Sequence, residues 1–158
     1  MILYHGSNCD IEKIDLDMCR PYKDFGRSFY LTTILTQARE MARKVAERFG
    51  GHPVVNEFAF DDRDLSSIKI KVFTEPNQEW AEFVMANRSR TNNHPADQFD
   101  LIIGPVANDD IATLFRTFEL GVIKIEDLVQ GLKSKKLNNQ YAFRGAKAIA
   151  FLQKKGNV

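Results

Sequence analysis

The residues best suited to chemistry lie near the start of the chain, where the segment His5–Ser7 follows the apolar run Ile2–Tyr4. The run predicts a short strand, and the Gly-Ser pair predicts a turn at its end. Imidazole can donate or accept a hydrogen bond, and glycine lets a ligand approach the backbone closely. Tyr30 lies in a second segment, 28–33, whose aromatic and β-branched residues predict another strand. The first thirty-three residues are therefore expected to form a binding pocket around His5 and Tyr30.

The common phosphate, metal and nucleophile motifs are missing from the sequence. Neither a Gly-x-Gly-x-x-Gly fingerprint nor a Walker lysine loop occurs, so a nucleotide would have to bind in another way. The three histidines, His5, His52 and His94, have no pair at the i, i+4 spacing of a helical zinc site, and no metal is expected. Cys9 and Cys19 form no Cys-x-x-Cys pair, which favours reduced thiols.

Length and charge limit the classes of protein to consider. A chain of 158 residues with 44% hydrophobic residues predicts one domain, residues 1–158. A net charge of +1 creates no overall field for a polyanion, so a dedicated DNA-binding protein is not expected. The sequence shows neither an apolar run near the roughly 18 residues of a membrane span nor the pattern of a signal peptide. A cytoplasmic protein without membrane contact is expected.

Strands and helices alternate irregularly along the predicted chain. A helix is predicted from Thr36, as its cap, to the pair Gly50-Gly51, and the last predicted helix includes Leu152. Strand-to-strand steps occur between helices, so the pattern favours an α+β fold over a doubly wound parallel sheet. The remaining predicted elements are strands at Val54–Phe60, Ile68–Phe73, Phe99–Ile103 and Gln140–Phe143 and helices after Pro76, at Asp109 and over Ile125–Lys133.

Two sets of motifs carry a family resemblance. The segments 3–7, Leu-Tyr-His-Gly-Ser, and 29–33, Phe-Tyr-Leu-Thr-Thr, resemble the His and Tyr motifs of diphtheria-toxin-like and poly(ADP-ribose) polymerase-like ADP-ribosyltransferases. Segments 24–32 and 100–110, with the terminal 140–143, look like an uncharacterised bacterial domain family distantly related to those enzymes, over nearly the whole chain. The resemblance implies an ADP-ribosyltransferase-like split sheet, mixed or antiparallel, with flanking helices.

The resemblance also implies roles for particular residues. His5 would hydrogen-bond a ribose hydroxyl of NAD, Gly6 would offer backbone groups to the nicotinamide amide, and Tyr30 would stack on the nicotinamide ring. Gln140 takes the place of the usual glutamate; it can bind the hydroxyl but lacks the charge that stabilises a cationic sugar. With these catalytic candidates, the implied nucleotide contacts are Gly6, Ser7, Arg20, Phe25, Phe29, Thr32 and Asn108.

Several of these residues also have purely structural explanations. Asn108 could bind a ligand amide, while the run from Asn108 to Asp110 could simply cap the next helix. Arg20 is the preferred partner for a pyrophosphate among three loop cations, which could equally be exposed. The other two cations are Lys23 and Arg27, and the alternative carboxylates, expected to be solvated on a helix, are Glu79 and Glu82.

The implied activity is NAD-dependent ADP-ribosyl transfer, in which the nicotinamide-ribose bond is cleaved and ADP-ribose passes to a macromolecule of unknown type. The resemblance is compatible with a bacterial toxin or defence effector that has an antitoxin protein as partner. Two alternatives stay open. The chain could be a module that binds NAD, ADP-ribose or a protein without turnover, for which Gln140 is the main argument, or it could be an NAD glycohydrolase.

Overall fold

The structure is a computed structural model that describes residues 1–91 and 98–158. His94, one of the three histidines, lies outside the described residues. The strands of the described ranges are β1 Ile2–Ser7, β2 Phe29–Leu31, β3 Val54–Phe60, β4 Ile70–Val72, β5 Leu101–Pro105, β6 Asn139–Phe143 and β7 Leu152–Asn157. The helices are α1 Leu35–Phe49, α2 Gln78–Arg88, α3 Asp109–Glu119, α4 Ile125–Lys133 and α5 Ala146–Ile149, with a 3-10 turn at Leu16–Met18.

The strands form two sheets. The first has the order β1-β3-β7 and is antiparallel throughout. The second has the order β2-β6-β5-β4, in which only the β4–β5 pair is parallel. The structure therefore confirms the predicted α+β class, with one antiparallel and one mixed sheet.

Apolar side chains divide the molecule into layers. One core cluster lies between the two sheets and contains Leu3 and Phe58 of the first together with Phe29 and Phe143 of the second. The opposite face of the first sheet is covered by α1. The opposite face of the second sheet is covered by α2, α3 and α4, which contribute Trp80, Ala81, Val84, Ile111, Phe115, Leu128 and Leu132. Each sheet thus has an inner face toward the other sheet and an outer face toward helices.

The contact between β1 and α1 requires glycine at position 6. A Cβ there would lie 2.1 Å from the Ala38 carbonyl oxygen and 2.7 Å from the Ala42 nitrogen. Both clashing atoms belong to the helix backbone, so a side-chain rotation could not relieve them. Small residues on α1 and glycine on β1 therefore let the helix lie directly against the strand.

The predicted cap of α1 is wrong. The helix begins at Leu35, and its N-cap residue, Ile34, makes no side-chain capping bond. The nearby hydroxyl that serves the backbone is that of Thr32, which accepts a hydrogen bond from the Ile34 nitrogen at 3.1 Å. The predicted end is confirmed, because Gly50 follows the helix with a φ of 81°.

Three strands differ from the sequence-based expectation. Segment His5–Ser7 continues β1 instead of forming a turn, because it pairs with residues 54–56 of β3. Leu152 begins β7, which pairs with β3, whereas the sequence predicted a helix there. Strand β4 covers only Ile70–Val72 of the predicted strand Ile68–Phe73, and Val72 is 52% exposed whereas Phe73 is buried.

Among the helices of residues 1–91 and 98–158, none combines the length and the apolar character that a membrane span requires.

Candidate functional site

The two predicted motif strands meet at one point and then separate. Tyr4 of β1 and Thr32, just after β2, exchange two backbone hydrogen bonds of 2.8 and 2.9 Å. In an antiparallel strand, every second residue turns its N–H and C=O toward the same neighbour. Since Tyr4 faces β2, the backbone of Gly6 must face β2 as well. Gly6 therefore presents one donor and one acceptor to the gap that opens beyond the Tyr4–Thr32 bridge.

The imidazole of His5 lies at the start of this gap. Its Nδ1 is 2.7 Å from the carbonyl oxygen of Tyr30, so a side chain replaces the backbone pairing that the strands have lost. A carbonyl oxygen can only accept, which means that Nδ1 carries the hydrogen. The ring also stacks on Phe29, with the centroids 4.3 Å apart and the planes 26° apart. The imidazole is therefore fixed in position by a hydrogen bond and an aromatic contact.

The second nitrogen of His5 is an acceptor. Burial lowers the pKa of His5, an effect that outweighs the opposing hydrogen bond to Tyr30, so the ring is neutral at pH 7. With the hydrogen on Nδ1, the other nitrogen, Nε2, has a free lone pair. Among the described residues, every side-chain nitrogen or oxygen that is fully buried has a hydrogen-bond partner. No described residue forms a hydrogen bond with Nε2, so this atom is not fully buried. Nε2 therefore reaches solvent and can accept a hydrogen bond from a ligand hydroxyl.

The lowered pKa of His5 predicts a pH-dependent stability. In the unfolded chain the imidazole gains a proton near pH 6.5, whereas in the folded chain it does so only at lower pH. The free energy of unfolding should therefore be highest above about pH 6.5. It should decrease as the pH is lowered from there, with a slope of up to about 1.4 kcal/mol per pH unit. Urea unfolding between pH 5 and 8 measures this slope.

The matched variants for this measurement are His5→Asn and His52→Asn. Asparagine at position 5 keeps a donor for the Tyr30 carbonyl but does not titrate, so the difference in slope from the native chain isolates the imidazole. His52 is exposed, so His52→Asn controls for the same change of residue type away from the gap. Equal slopes for the native chain and His5→Asn would contradict the assignment of a neutral, buried His5.

The other two catalytic candidates, Tyr30 and Gln140, lie on the outer face of the second sheet. Tyr30 is paired with Ala142, two positions from Gln140, so these side chains share a face. The Tyr30 hydroxyl donates to the Gly26 carbonyl at 2.8 Å and accepts from the Phe25 nitrogen at 3.0 Å, and burial raises its pKa. The structure thus joins Tyr30 to His5 through its backbone, while the two rings point to opposite faces.

Gln140 belongs to a hydrogen-bond network around the buried carboxylate of Asp24. Gln140 Nε2 donates to Asp24 Oδ2 at 2.8 Å and lies 3.4 Å from the Pro105 oxygen. Arg88 donates to Asp24 Oδ1 through two nitrogens, at 2.6 and 2.9 Å, and the Ala107 nitrogen donates to Oδ2 at 2.9 Å. The carboxylate therefore accepts four hydrogen bonds, and together with Tyr30 it fixes the loop that precedes β2.

Asp24 and Arg88 were not predicted as members of the site. Asp24 and Ala107 each lie within one of the two long motif segments, 24–32 and 100–110, and the hydrogen bond between them joins these segments in space. In the sequence, the position of Asp24 within one of these motif segments was the only sign of its role. Arg88 lies outside both segments, at the end of α2, and only the folded structure brings it to the carboxylate.

The remaining predicted nucleotide contacts are dispersed. Phe25 is fully buried in the core below α2, and Phe29 is 3% exposed beneath His5. Ser7 is 8% exposed, with its hydroxyl 3.8 Å from the Cys9 sulfur, and the Thr32 hydroxyl donates to Gln37 at 2.6 Å. Of these four side chains, those of Ser7 and Phe29 are closest in the fold to His5, on the inner faces of the sheets.

The structure shows the contacts of the surface residues for which two roles were predicted. Asn108 is the N-cap of α3, and its Oδ1 accepts from the Ile111 nitrogen at 3.1 Å, while Asp109 and Asp110 occupy the first turn. Arg20 is exposed, and its guanidinium lies 4.1 Å from the centre of the Phe49 ring. The expected exposure of both alternative carboxylates is confirmed; their hydrogen-bond partners are Lys71 for Glu79 and Gln78 for Glu82.

A buried asparagine supports the inner end of the gap and was missed by the sequence. Asn56 is fully buried on β3, opposite His5. Its Oδ1 accepts from the Ile11 nitrogen at 2.7 Å, and its Nδ2 donates to the Cys9 carbonyl at 3.1 Å. Lys154 Nζ lies 3.2 Å from the same Oδ1. Asn56 therefore holds the loop that follows β1 and keeps the end of that strand in place.

Within residues 1–91 and 98–158, no group of three or more histidine, cysteine, aspartate or glutamate side chains is arranged to bind a metal ion.

Comparison with known proteins adds one match. A family model described as "Protein of unknown function (DUF3990)" matches residues 1–153, almost the entire chain. No curated protein and no solved structure matches the chain significantly.

Proposed function

The chain belongs to the DUF3990 family of proteins of unknown function, and we propose that it acts on NAD: it binds the dinucleotide at the gap between β1 and β2, cleaves the nicotinamide-ribose bond, and transfers ADP-ribose to a macromolecule.

The backbone of Gly6 is the observation that carries this proposal. A carboxamide has one N–H donor group and one carbonyl acceptor, and Gly6 turns the complementary acceptor and donor toward the gap. Recognition by a single residue's backbone is specific for an amide, because a carboxylate would have no hydrogen for the Gly6 carbonyl. The nicotinamide end of NAD carries this amide.

His5 supports the same placement. Its neutral ring offers Nε2 as an acceptor beside Gly6, where a ribose hydroxyl can donate to it. The bond from Nδ1 to the Tyr30 carbonyl and the stack on Phe29 hold that acceptor in a fixed direction. A preoriented acceptor costs little reorganisation when a ligand binds.

Gln140 would supply an acceptor near the sugar in this proposal. Its amide nitrogen is occupied by Asp24 and the Pro105 carbonyl, which leaves Oε1 as the free end of the side chain. A carboxylate that accepts from the amide nitrogen polarises the amide and increases the negative charge on its oxygen. Asp24 could thus partly compensate for the missing charge of a glutamate. Stacking of the Tyr30 ring on nicotinamide stays a prediction.

The proposed reaction balances without a further reactant. The bond between ribose C1′ and the nicotinamide ring nitrogen breaks, and its electron pair neutralises the positive charge of the pyridinium. A nucleophile of the acceptor forms the new bond to C1′ and loses its proton to solvent. The products are nicotinamide and an ADP-ribosylated macromolecule.

Nicotinamide release tests the proposal. The protein is incubated with NAD labelled in the adenine ring and with bacterial extract, and nicotinamide is quantified by chromatography. We expect release and a labelled macromolecule, both reduced roughly 10²-fold in His5→Ala because an oriented hydrogen bond is lost. His52→Ala, a change of the same type at an exposed position, should retain native activity. Absence of nicotinamide release, or equal rates for the two variants, would contradict the proposal.

A second candidate is binding of NAD or ADP-ribose without turnover. It is favoured by one observation: position 140 holds an amide, and that amide is already bonded to Asp24. Calorimetry would then show saturable binding of NAD that His5→Ala weakens, while no nicotinamide appears. Free ADP-ribose without a labelled macromolecule would instead identify an NAD glycohydrolase. A toxin role with an antitoxin partner stays a prediction, which growth arrest on expression, lost in His5→Ala, would support.

A further inference from the structure

Exposed aromatic rings carry guanidinium groups at two places that the segment 20–22 connects. Arg20 and Arg48 lie over the ring of Phe49, with Cζ at 4.1 and 5.2 Å from its centre. Arg90 lies over the ring of Tyr22, with Cζ at 5.2 Å from its centre. Arg20 and Tyr22 are two positions apart, so their Cα atoms are within about 7 Å of each other. We call these five residues the arginine-aromatic surface.

The backbone holds Tyr22 in an unusual conformation. Its φ is 61°, and among the described residues it is the one non-glycine residue with a positive φ. This region is uncommon for a bulky side chain, and such outliers concentrate where a protein binds or reacts. The conformation leaves Tyr22 46% exposed, and Phe49 is 49% exposed. Two large rings are therefore exposed: Tyr22 follows Arg20 by two positions, and the guanidinium of Arg20 lies over Phe49.

The three arginines of this surface are available for an anion. Within the described ranges, Arg20, Arg48 and Arg90 form no ion pair with a carboxylate, in contrast to Arg88 and Arg63. Each guanidinium has its Cζ within 5.2 Å of a ring centre, and its N–H groups can bind phosphate oxygens. The positive charge is local, because the whole chain has a net charge of only +1.

From this combination we infer that the arginine-aromatic surface binds single-stranded nucleic acid. Bases stack on the exposed ring of Tyr22 and on guanidinium planes, and the backbone phosphates pair with Arg20, Arg48 and Arg90. An acidic peptide would pair with the guanidinium groups but would offer no planar group to stack on them or on the Tyr22 ring. Nucleic acid uses both components of the surface. This inference concerns binding alone and does not depend on the activity proposed for the gap.

Fluorescence anisotropy tests the inference in the absence of NAD. The probe is a fluorescein-labelled 12-nucleotide single-stranded RNA of mixed sequence, with the corresponding DNA and a labelled 12-residue polyglutamate as comparisons. Tyr22→Gly removes the ring and suits a positive φ, so it should fold normally. Arg90→Ala removes one cation, and Arg116→Ala makes the same change on the exposed side of α3, outside the surface.

We expect the RNA to bind the native chain at low salt, and Tyr22→Gly to weaken binding at least about fivefold through the loss of one stacked base. Arg90→Ala should weaken binding and reduce the slope of log K against log salt by about 0.7, the value for one phosphate contact on a single strand. Arg116→Ala should bind as the native chain does. The DNA should show the same dependence on Tyr22, since a stacked base needs no 2′-hydroxyl.

Three outcomes would overturn the inference. The first is no saturable binding of RNA or DNA at micromolar protein. The second is an equal effect of Arg90→Ala and Arg116→Ala, which would indicate nonspecific charge. The third is binding of polyglutamate that equals that of RNA and is insensitive to Tyr22→Gly, which would identify an acidic protein as the partner. A chain without NAD activity could still pass this test, so the two proposals fail separately.

Discussion

Replacement of Arg88 with methionine is expected to lower the free energy of unfolding by about 3 kcal/mol. The side chain of Asp24 is only 9% exposed, and Arg88 supplies two of its four hydrogen bonds. Methionine fills a similar volume but leaves a mostly buried carboxylate with the Ala107 and Gln140 donors alone. Urea unfolding at pH 7.5 measures the loss.

A double-mutant cycle with Asp24→Asn separates this interaction from general packing. Asparagine removes the charge, so the additional loss caused by Arg88→Met should shrink by more than 1 kcal/mol in the Asp24→Asn background. Arg116→Met, on the exposed side of α3, is the matched control and should change stability by less than about 0.5 kcal/mol. Additive effects of the two substitutions would show that the Asp24–Arg88 pair does not stabilise the loop.

Replacement of Gln140 with glutamate should destabilise the protein by about 2 kcal/mol at neutral pH. Glutamine donates to Asp24 Oδ2 at 2.8 Å, and glutamate would replace that donor with a second carboxylate. Two carboxylates at this distance repel each other, and the Pro105 carbonyl offers only a further acceptor. Unfolding measured by urea at pH 7.5 and pH 5 tests the effect and its dependence on pH.

The loss should become smaller as the pH falls, because a proton on either carboxyl group restores a donor between them. Gln130→Glu, at an exposed position of α4, is the control and should be nearly neutral. The expected result also bears on the proposed function, since glutamate is the residue that the resemblance to ADP-ribosyltransferases implies at this position. A stable Gln140→Glu variant at pH 7.5 would show that position 140 is not committed to Asp24.

The elements that could be predicted are those whose bounds are defined by the local sequence pattern. Helix α4, Ile125–Lys133, and strand β3, Val54–Phe60, have the predicted bounds, because apolar spacing and neighbouring turn residues define both ends. Strand β7 could not be recognised. Its inner and outer residues alternate between half-buried and exposed, and Gln153, Lys154 and Lys155 carry no apolar signal. Pairing with β3, nearly one hundred residues earlier in the chain, creates that strand.

For the candidate site, the sequence predicted the two strands that carry His5 and Tyr30 but not the arrangement of the side chains. The sequence located His5 and Tyr30, and the hydrogen bond between the imidazole and the Tyr30 carbonyl brings them together. The sequence could not show that the His5 ring lies on the inner side of the sheets while the Tyr30 ring lies on the outer face of the second sheet. This arrangement depends on where β1 and β2 separate. The same reason explains why Asn56, a polar residue inside an apolar strand, gave no signal of its role.

The presence of glycine at position 6 can be explained in two ways. The sequence suggested close backbone approach by a ligand, and the structure shows close approach by α1 on the side where a Cβ would stand. Its N–H and C=O lie along the strand edge, perpendicular to that contact, and face the gap. Packing against α1 therefore explains the missing side chain, while the ligand role proposed for the backbone is independent of it.

The amide resonance of Gly6 gives the most direct test of NAD recognition at the gap. The sequence contains one His-Gly pair, so labelling with carbonyl-13C histidine and 15N glycine selects a single peak. NAD and its analogue with a carboxylate in place of the carboxamide are titrated separately. We predict a saturable shift of the Gly6 peak with NAD and a much weaker one with the carboxylate analogue. An unchanged Gly6 peak at millimolar NAD, or equal shifts with both compounds, would contradict the account.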